Sequence, residues 1–508
     1  MDKTNITTVD ISVLQALQHT RFRPKDFSDA GAAKKFSEIV QGRLLYCDAL
    51  GWLLWDGKRW AEDEHGATKL AIAFTEDTRA EAMKLYRDFT NYDERGRIQV
   101  PAHIKDYADY AGRLRSQYAI RAFMSLARSY LAIKAEELDA AWWILNTEAG
   151  LVDLRTGELE PHDPGALCTK IAPFSPCSDE ESVNLWVRQL NLTTDGDPDY
   201  ARYLQIKAGS YAFGKIFREG LDCAIGGGRN GKSTLYNALS IVLGDYAGVI
   251  DSAVLTTDRQ NKGAELATLR GKRLVIAAEL EEGTRMSIAT VKRITSTDRI
   301  KVERKYHDPE EIEPSHHIVL FSNYLPRVGS TDSGTWRRIE VLPFNATMPD
   351  GDEDVPNYAQ ELADKAGGAI LAWIIEGAKR FAEARYRFKR PQAVTTATDE
   401  YKRREDWLEG FIAECCIRDE YAEARAGELY ELYKLHAART GEYCRRSNDF
   451  YSAMLEKGFE SVSKGGHKKE WRGLMIDRTS PLSAELSAIR RGRTDAEDEG
   501  NVNAPKAH

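Results

Sequence analysis

Apolar and polar positions change rhythm along the chain, and each change predicts a separate structural unit. From Ala32 the residues Ala33, Phe36, Ile39 and Val40 recur at helical spacing, and a strand-like run follows over 43–47. Trp52-Leu53-Leu54-Trp55, the turn dipeptide Asp56-Gly57 and Lys58-Arg59-Trp60 read as a β-hairpin. Helical patterning fills 67–87 and 107–135, and a second hairpin is expected over 150–159, turning through Arg155-Thr156-Gly157. The tryptophans of these segments read as core anchors, because an indole buries a large apolar area wherever it packs. Pro173, Pro176 and Asp179-Glu180-Glu181 place a boundary near residue 180.

Between about 183 and 345 short β-branched runs alternate with helices. Residues 220–225 lead into a glycine-rich loop, and the runs at 273–277 and 317–321 look like buried strands; apolar runs of that length, separated by helices, predict a sheet covered on both faces. Helical pattern resumes over 358–387, and Pro391 marks a joint before a smaller module at 400–478. The polar text after Pro481 reads as a mobile tail.

A length of 508 residues exceeds one core and suggests about three domains. The net charge of -8 gives no global attraction for nucleic acid, so any DNA contact must come from local basic surface. Cys47, Cys168, Cys177, Cys223, Cys415, Cys416 and Cys444 are scattered without a Cys-x-x-Cys pair, which argues against a zinc ribbon or a disulfide framework. Neither a signal peptide nor an apolar run of membrane-spanning length is present, and a reducing cytosol is the expected compartment.

The segment Gly226-Gly227-Gly228-Arg229-Asn230-Gly231-Lys232-Ser233-Thr234 fits G-x-x-x-x-G-K-[ST] in full. Glycines let successive backbone amides turn inward on a polyphosphate, where a side chain would block approach. Lys232 would place its charge on the β- and γ-phosphates, Ser233 would give its hydroxyl to Mg²⁺, and a following helix would add its dipole. The strand at 273–278 ends in Glu279, with Glu281 and Glu282 behind it; an acid there can hold Mg²⁺ or polarise water, while a solvated helix start explains the later two equally well. The strand at 318–321 delivers Asn323, either a γ-phosphate sensor or a plain turn residue. Arg337 and Arg338 precede another strand and suit either a neighbour's nucleotide or a surface ion pair. Residues 298–317 read as a long hairpin whose tip carries Arg304, Lys305, Tyr306 and His307, a basic and aromatic grip for a phosphate backbone or simply an exposed charged loop.

Taken together, residues 205–345 resemble a superfamily 3 helicase, in particular the phage and plasmid primase-helicase group that includes the poxvirus primase-helicase. The segments 226–234, 272–283, 291–306 and 321–326 and Trp336-Arg337-Arg338 carry the likeness, and 53–60 with 151–157 resemble the accessory domain that precedes the helicase in that group. The resemblance implies a hexameric ring hydrolysing ATP with Mg²⁺ at subunit interfaces and moving 3′-to-5′ on single-stranded DNA. Lys232 and Ser233 would then hold phosphate and Mg²⁺, Glu279 would be the second-strand acid, Asn323 the sensor, Arg338 or Arg337 the trans-acting finger, and Lys305 and His307 DNA contacts. One departure is that Leu280 separates Glu279 from Glu281, where many relatives carry adjacent acids.

The expected fold class is therefore α/β: an AAA+-like P-loop ATPase domain over 181–390 (core 205–345), an α+β accessory domain over 31–180 behind a lead-in at 1–30, and a winged-helix-like domain over 391–478 before a flexible tail at 479–508. In the last domain, helices at 429–438 and 447–455, the latter capped by Ser447 or Asn448, precede a wing with Arg445, Arg446, Lys468 and Lys469 available to phosphates or to a protein partner. The short lead-in leaves no room for a polymerising site, so a separate primase or initiator is expected, in a phage or mobile element of a bacterial cytosol. Two competing readings are a nucleotide-gated assembly or defence ATPase that binds DNA without unwinding, and a primase-helicase that also makes primers.

Overall fold

The computed structural model describes residues 8–256, 263–302, 310–328, 333–346, 357–441, 443–464 and 468–502. In the N-terminal unit the helices Asp29–Val40, Glu64–Asp88, Ala102–Leu114 and Gln117–Tyr130 enclose Phe36, Trp52, Phe74, Tyr107 and Phe123. The helix expected over 107–135 is two helices, broken where the Ser116 hydroxyl accepts from the Ala119 amide at 3.2 Å and caps the second. The first hairpin forms with Trp55 opposite Trp60, and Asp56 holds its turn by accepting from the Lys58 amide at 2.8 Å. Trp52 and Trp60 are buried, as anchors should be.

Five strands make a wholly parallel central sheet: Leu221–Ile225, Ala247–Asp251, Leu274–Ala278, His317–Ser322 and Ile339–Pro343. Numbered one to five along the chain, they lie in the spatial order 5-1-4-3-2. Alternation within each strand feeds two cores. Ala224, Ile276, Val319 and Leu342 meet the helices Pro198–Ala212, Lys232–Leu243 and Tyr358–Glu383. Cys223, Val275, Leu320 and Val341 face the other way, toward Val291 and Tyr401. Coverage of both faces explains the apolar runs.

Charges interrupt this core at one place. Asp222 and Glu340 are cross-strand partners, 3% and 0% exposed, and the buried Lys207 ammonium lies 2.6 Å from Asp222 and 3.6 Å from Glu340. Arg218 and Tyr211 also donate to Asp222, at 2.5 and 2.6 Å, while Arg390 and Tyr203 donate to Glu340. Burial pushes the Asp222 carboxyl up, but the Lys207 and Arg218 charges outweigh it and hold the group below the usual carboxylate range. Two neutral imidazoles sit nearby. Burial pulls His316 down to about 4 and His317 to about 3, and each is fixed by a hydrogen bond to a carbonyl, of Ile294 and Lys215 respectively. Since these folded values lie below the unfolded value of about 6.5, stability is complete above that pH and is lost as pH falls toward the folded values, by about 1.4 kcal/mol per pH unit for each group. Both imidazoles should stay neutral at pH 5.5 in an NMR titration of the folded chain; a midpoint near 6.5 at either would refute their burial.

The N-terminal unit is stitched into this body. Trp142 packs within 6.0 Å of Phe213, Phe217 and Tyr386, and Leu145, Val152 and Ala172 share the core of Trp186 and Leu204. Arg273, 3% exposed, donates to the carbonyls of Ala212 at 2.5 Å and Ile144 at 2.8 Å and lies over the Tyr246 ring.

At the C-terminal end the helices Trp407–Cys415, Ala426–Thr440 and Ser447–Glu456 pack with a three-stranded antiparallel sheet, ordered Cys416–Arg425, Lys468–Ile476, Glu460–Lys464. The expected cap moves: Arg446 occupies the N-cap position of the third helix and makes no side-chain cap bond, so neither Ser447 nor Asn448 caps it. The expected flexible tail is corrected as well. Pro481–Val502 is a helix whose Leu482 and Leu486, one turn apart among charges, are buried against the C-terminal core. Among the described residues no helix is long and apolar enough to cross a membrane.

Candidate active site

Parallel pairing brings three strand ends to one edge of the sheet. Ser322 stands beside Ile225 and Ala278 beside Phe321, so the loop 226–231, Asn323 and Glu279 emerge together, as loops do at the carboxyl ends of such sheets. The glycines divide the work. A Cβ on Gly226 would meet the Asn230 amide at 1.9 Å and the Phe344 carbonyl at 2.2 Å, whereas Gly227 and Gly228 face open space. Gly228 and Gly231 have φ of +96° and +74°, conformations that a side chain disfavours. Asn230, 2% exposed, ties the loop down by donating to the Phe344 carbonyl at 2.9 Å.

Lys232 opens the helix Lys232–Leu243, and its N-cap, Gly231, provides no capping side chain. The first amides of that helix therefore point at the loop without a side-chain acceptor, a setting that favours an anion. The Lys232 ammonium is 7% exposed and donates to Asn323 Oδ1 at 2.6 Å, the Gly226 carbonyl at 3.2 Å and Asn230 Oδ1 at 3.3 Å. Two segments 91 residues apart in sequence thus meet at one cation. Ser233 is exposed beside it.

Glu279 is exposed and takes a left-handed backbone, φ +50°, a strained conformation for a residue with a side chain. Its amide donates to the Phe321 carbonyl at 2.9 Å and its carbonyl accepts from Ser252 at 2.6 Å, so the strained turn is held from both sides. The interruption by Leu280 now has a physical reason. That side chain is 8% exposed within the lower core, and its burial sets Glu279 at the strand end while Glu281 and Glu282 stand in solvent.

A cavity of about 440 Å³ lies over the loop, walled by Arg188 and Leu192 of the helix Glu180–Thr193 and by Tyr358. This space, the uncapped helix start and the inward lysine fit a nucleoside triphosphate. Among the described residues no cluster of three or more His, Cys, Asp or Glu side chains forms; the Ser233 and Thr234 hydroxyls line the cavity, and Glu279 ends a strand that one further strand separates from the loop's own. Hydroxyl and carboxylate oxygens are hard donors of the kind Mg²⁺ takes, with waters and phosphate oxygens as its remaining ligands.

The two arginines differ sharply. Arg338, 12% exposed, is bound to Glu219 at 2.5 Å and to the Gly334 carbonyl at 3.1 Å. Arg337 is 68% exposed and only 3.9 Å from the same carboxylate. Glu219 carries no signal in the sequence; it also lies 3.4 Å from the Ser296 hydroxyl at the root of the second candidate element. That element is a hairpin pairing Ile300 with Ile312 and Val302 with Glu310. Its tip, with Arg304, Lys305, Tyr306 and His307, lies outside the described residues, as does the Lys468 side chain. Lys469 and Arg446 are exposed, and Arg445 lies over the Trp407 ring at 4.3 Å, lining a cleft with the strand-end residues of the parallel sheet.

Two family profiles match the chain: "D5 N terminal like" over residues 33–205 and a family of unknown function (DUF5906) over 224–338. A provisionally named helicase of Acanthamoeba polyphaga mimivirus is 26% identical over 306 residues, 55% of this chain and 31% of the relative. A provisionally named primase of African swine fever virus is 24% identical over 274 residues, 49% of this chain and 28% of the relative. The chain thus matches less than a third of the length of either viral protein. Among solved structures, the NrS-1 C-terminal region covers 59% of this chain and 77% of its own length at 16% identity, with a TM-score of 0.37.

Proposed function

Since this chain belongs to the superfamily 3 primase-helicase group that also holds the poxvirus protein, we propose that it is an ATP-driven DNA helicase motor of phage or viral replication. The single observation that carries this reading is the Lys232–Asn323 contact, which joins a phosphate loop to the end of a neighbouring parallel strand where a γ-phosphate would lie. The strand order 5-1-4-3-2 supports an AAA+-like assignment of the ATPase domain, and the helix-and-wing arrangement of residues 407–476 supports a winged-helix-like one. The viral relatives support an origin in a virus or mobile element, and the bacterial setting expected from the sequence stays part of this reading.

In this reading Gly226 to Thr234 cradle ATP, and Lys232 neutralises the transferring phosphoryl group. Ser233 and Glu279 would hold Mg²⁺, which would supply additional positive charge to the phosphates. Glu279, strained into position, orients the attacking water, and Asn323 senses the γ-phosphate through the lysine. Arg337 is the finger offered to the neighbouring subunit of a hexameric ring moving 3′-to-5′, and Arg338 is the internal brace that aims it through Glu219. Lys305 and His307, which follow the strand Ile300–Val302 in the chain, are the contacts offered to single-stranded DNA.

The assignment of the arginines is tested by mixing. Arg337→Ala and Lys232→Ala subunits, each inactive alone, should recover part of the ATPase activity when combined, because some interfaces then pair an intact finger with an intact loop. No recovery at any ratio would place the site within one chain. A second reading, in which the whole protein also makes primers, is supported by the match to a relative named as a primase. Primer synthesis on a single-stranded template by the purified chain would establish it. Unwinding of a forked duplex separates the motor from a DNA-bound assembly ATPase that never displaces a strand.

A further inference from the structure

Beside Asn323 lies a second cleft, of about 530 Å³, lined by the strand-end residues Ile225, Asn323 and Tyr324 and by Trp407 and Tyr443 of the C-terminal unit. Four guanidinium groups converge there from separate stretches of chain: Arg285 after the Leu274 strand, Arg327 after the His317 strand, Arg404 at the end of the helix Gln392–Arg404, and Arg445 from the C-terminal unit. Among the described residues only two carboxylates line the same space, Glu282 and Glu405, and Glu405 is already engaged by the Val328 amide at 2.8 Å. In a chain of net charge -8 this is a concentrated positive surface.

The cleft is built rather than accidental. The backbones of Arg285 and Arg327 run side by side as a parallel bridge, locked by the Met286 amide on the Arg327 carbonyl at 2.9 Å and the Arg327 amide on the Thr284 carbonyl at 2.8 Å. Arg285 lies 5.4 Å over the Tyr443 ring and Arg445 4.3 Å over Trp407, so rings hold the planes of two forks. Tyr324 and Tyr443 remain 47% and 59% exposed, an unusual amount of open ring surface beside four cations.

Guanidinium forks bind phosphate oxygens, and exposed rings stack on bases whatever their identity; together they suit a single-stranded polynucleotide. We propose that this cleft binds a segment of single-stranded DNA and that Asn323, shared between cleft and Lys232, lets bound DNA adjust the nucleotide site. The inference rests on the motor reading above for its second half only. DNA held here bridges the ATPase body and the C-terminal unit.

The test uses the full chain and a fluorescent 20-nucleotide oligo-dT, titrated by anisotropy across a salt series. Arg285→Ala with Arg327→Ala should weaken binding about tenfold at moderate salt, and should flatten the slope of log affinity against log salt by about 0.7 for each phosphate that is no longer neutralised. Tyr443→Ala should weaken binding several-fold by removing a stacking ring while leaving that slope nearly unchanged. Lys365→Ala, a cation exposed elsewhere, should alter neither. An unchanged thermal midpoint shows that a variant is folded, and the tyrosine variant alone suffices if the double arginine variant is not. Affinity and slope equal to the parent's in all these variants would overturn the proposal. So would intact DNA binding with a loss of oligomers, which would make the cleft a seat for a neighbouring subunit. Should the parent chain bind the oligonucleotide through this cleft yet release no phosphate from ATP, the DNA site would stand and the motor reading would fall.

Discussion

Lys232→Ala should reduce ATP hydrolysis by at least about a hundredfold, with or without single-stranded DNA. The magnitude follows from removing one preorganised charge aimed at the site where negative charge develops. Its geometry makes the lysine hard to replace: it is buried, its three donors are spread over Gly226, Asn230 and Asn323, and Asn230 is itself anchored to Phe344. A steady-state phosphate-release assay measures the effect directly. Hydrolysis within a few-fold of the parent would sink the assignment of this loop as the catalytic site, and with it the motor.

The second large effect concerns stability. Lys207→Ala should cost about 3–5 kcal/mol, because it strips the central cation from Asp222 and Glu340 and leaves two buried carboxylates short of compensation. Burial makes this different from a surface pair: Lys365→Ala, which breaks an exposed ion pair with Glu361, should leave the unfolding midpoint within error. Acid should act in the same sense as the Lys207 substitution. Asp222 has a depressed folded value, so its contribution is present above the unfolded value near 4 and is lost as pH falls through the folded one. Chemical denaturation at neutral pH, followed by a probe in the ATPase body, would register the loss; a Lys207→Ala midpoint equal to the parent's would mean the charges are hydrated rather than buried.

What can be read from the chain alone follows the range of the interactions. The phosphate loop is legible because its chemistry is local: nine consecutive residues carry the glycines, the lysine and the hydroxyl. Asn323 and Glu279 can be nominated as strand-end residues, but their emergence at one edge with the loop depends on parallel register between strands far apart in sequence. Arg337 and Arg338 are indistinguishable in the sequence, since which one is free to reach outward is decided by Glu219, more than a hundred residues upstream. The arginine cleft is invisible for the same reason, and Arg445, which reads as part of the C-terminal unit's outer face, in fact lines that cleft. The C-terminal helix escapes the pattern because charge dominates its composition and hides the spacing of Leu482 and Leu486. Asp222 and Glu340, which read as parts of ordinary apolar strands, show that such a pattern tolerates charge wherever a cation is delivered from the neighbouring helix.

The stitching of Trp142 and Arg273 across residue 180 bears on how force would pass through the molecule. An ordinary tether lets one lobe lag behind another, but here the leading lobe shares its interior with the engine. In the proposed motor, a tilt of the ATPase body would carry the segment from Trp142 to Phe174 with it, because that segment belongs to the same interior. A fragment cut to begin at 181 would bare the Trp186 side of that common interior, so an isolated engine should be started ahead of Trp142 if it is to stay in solution.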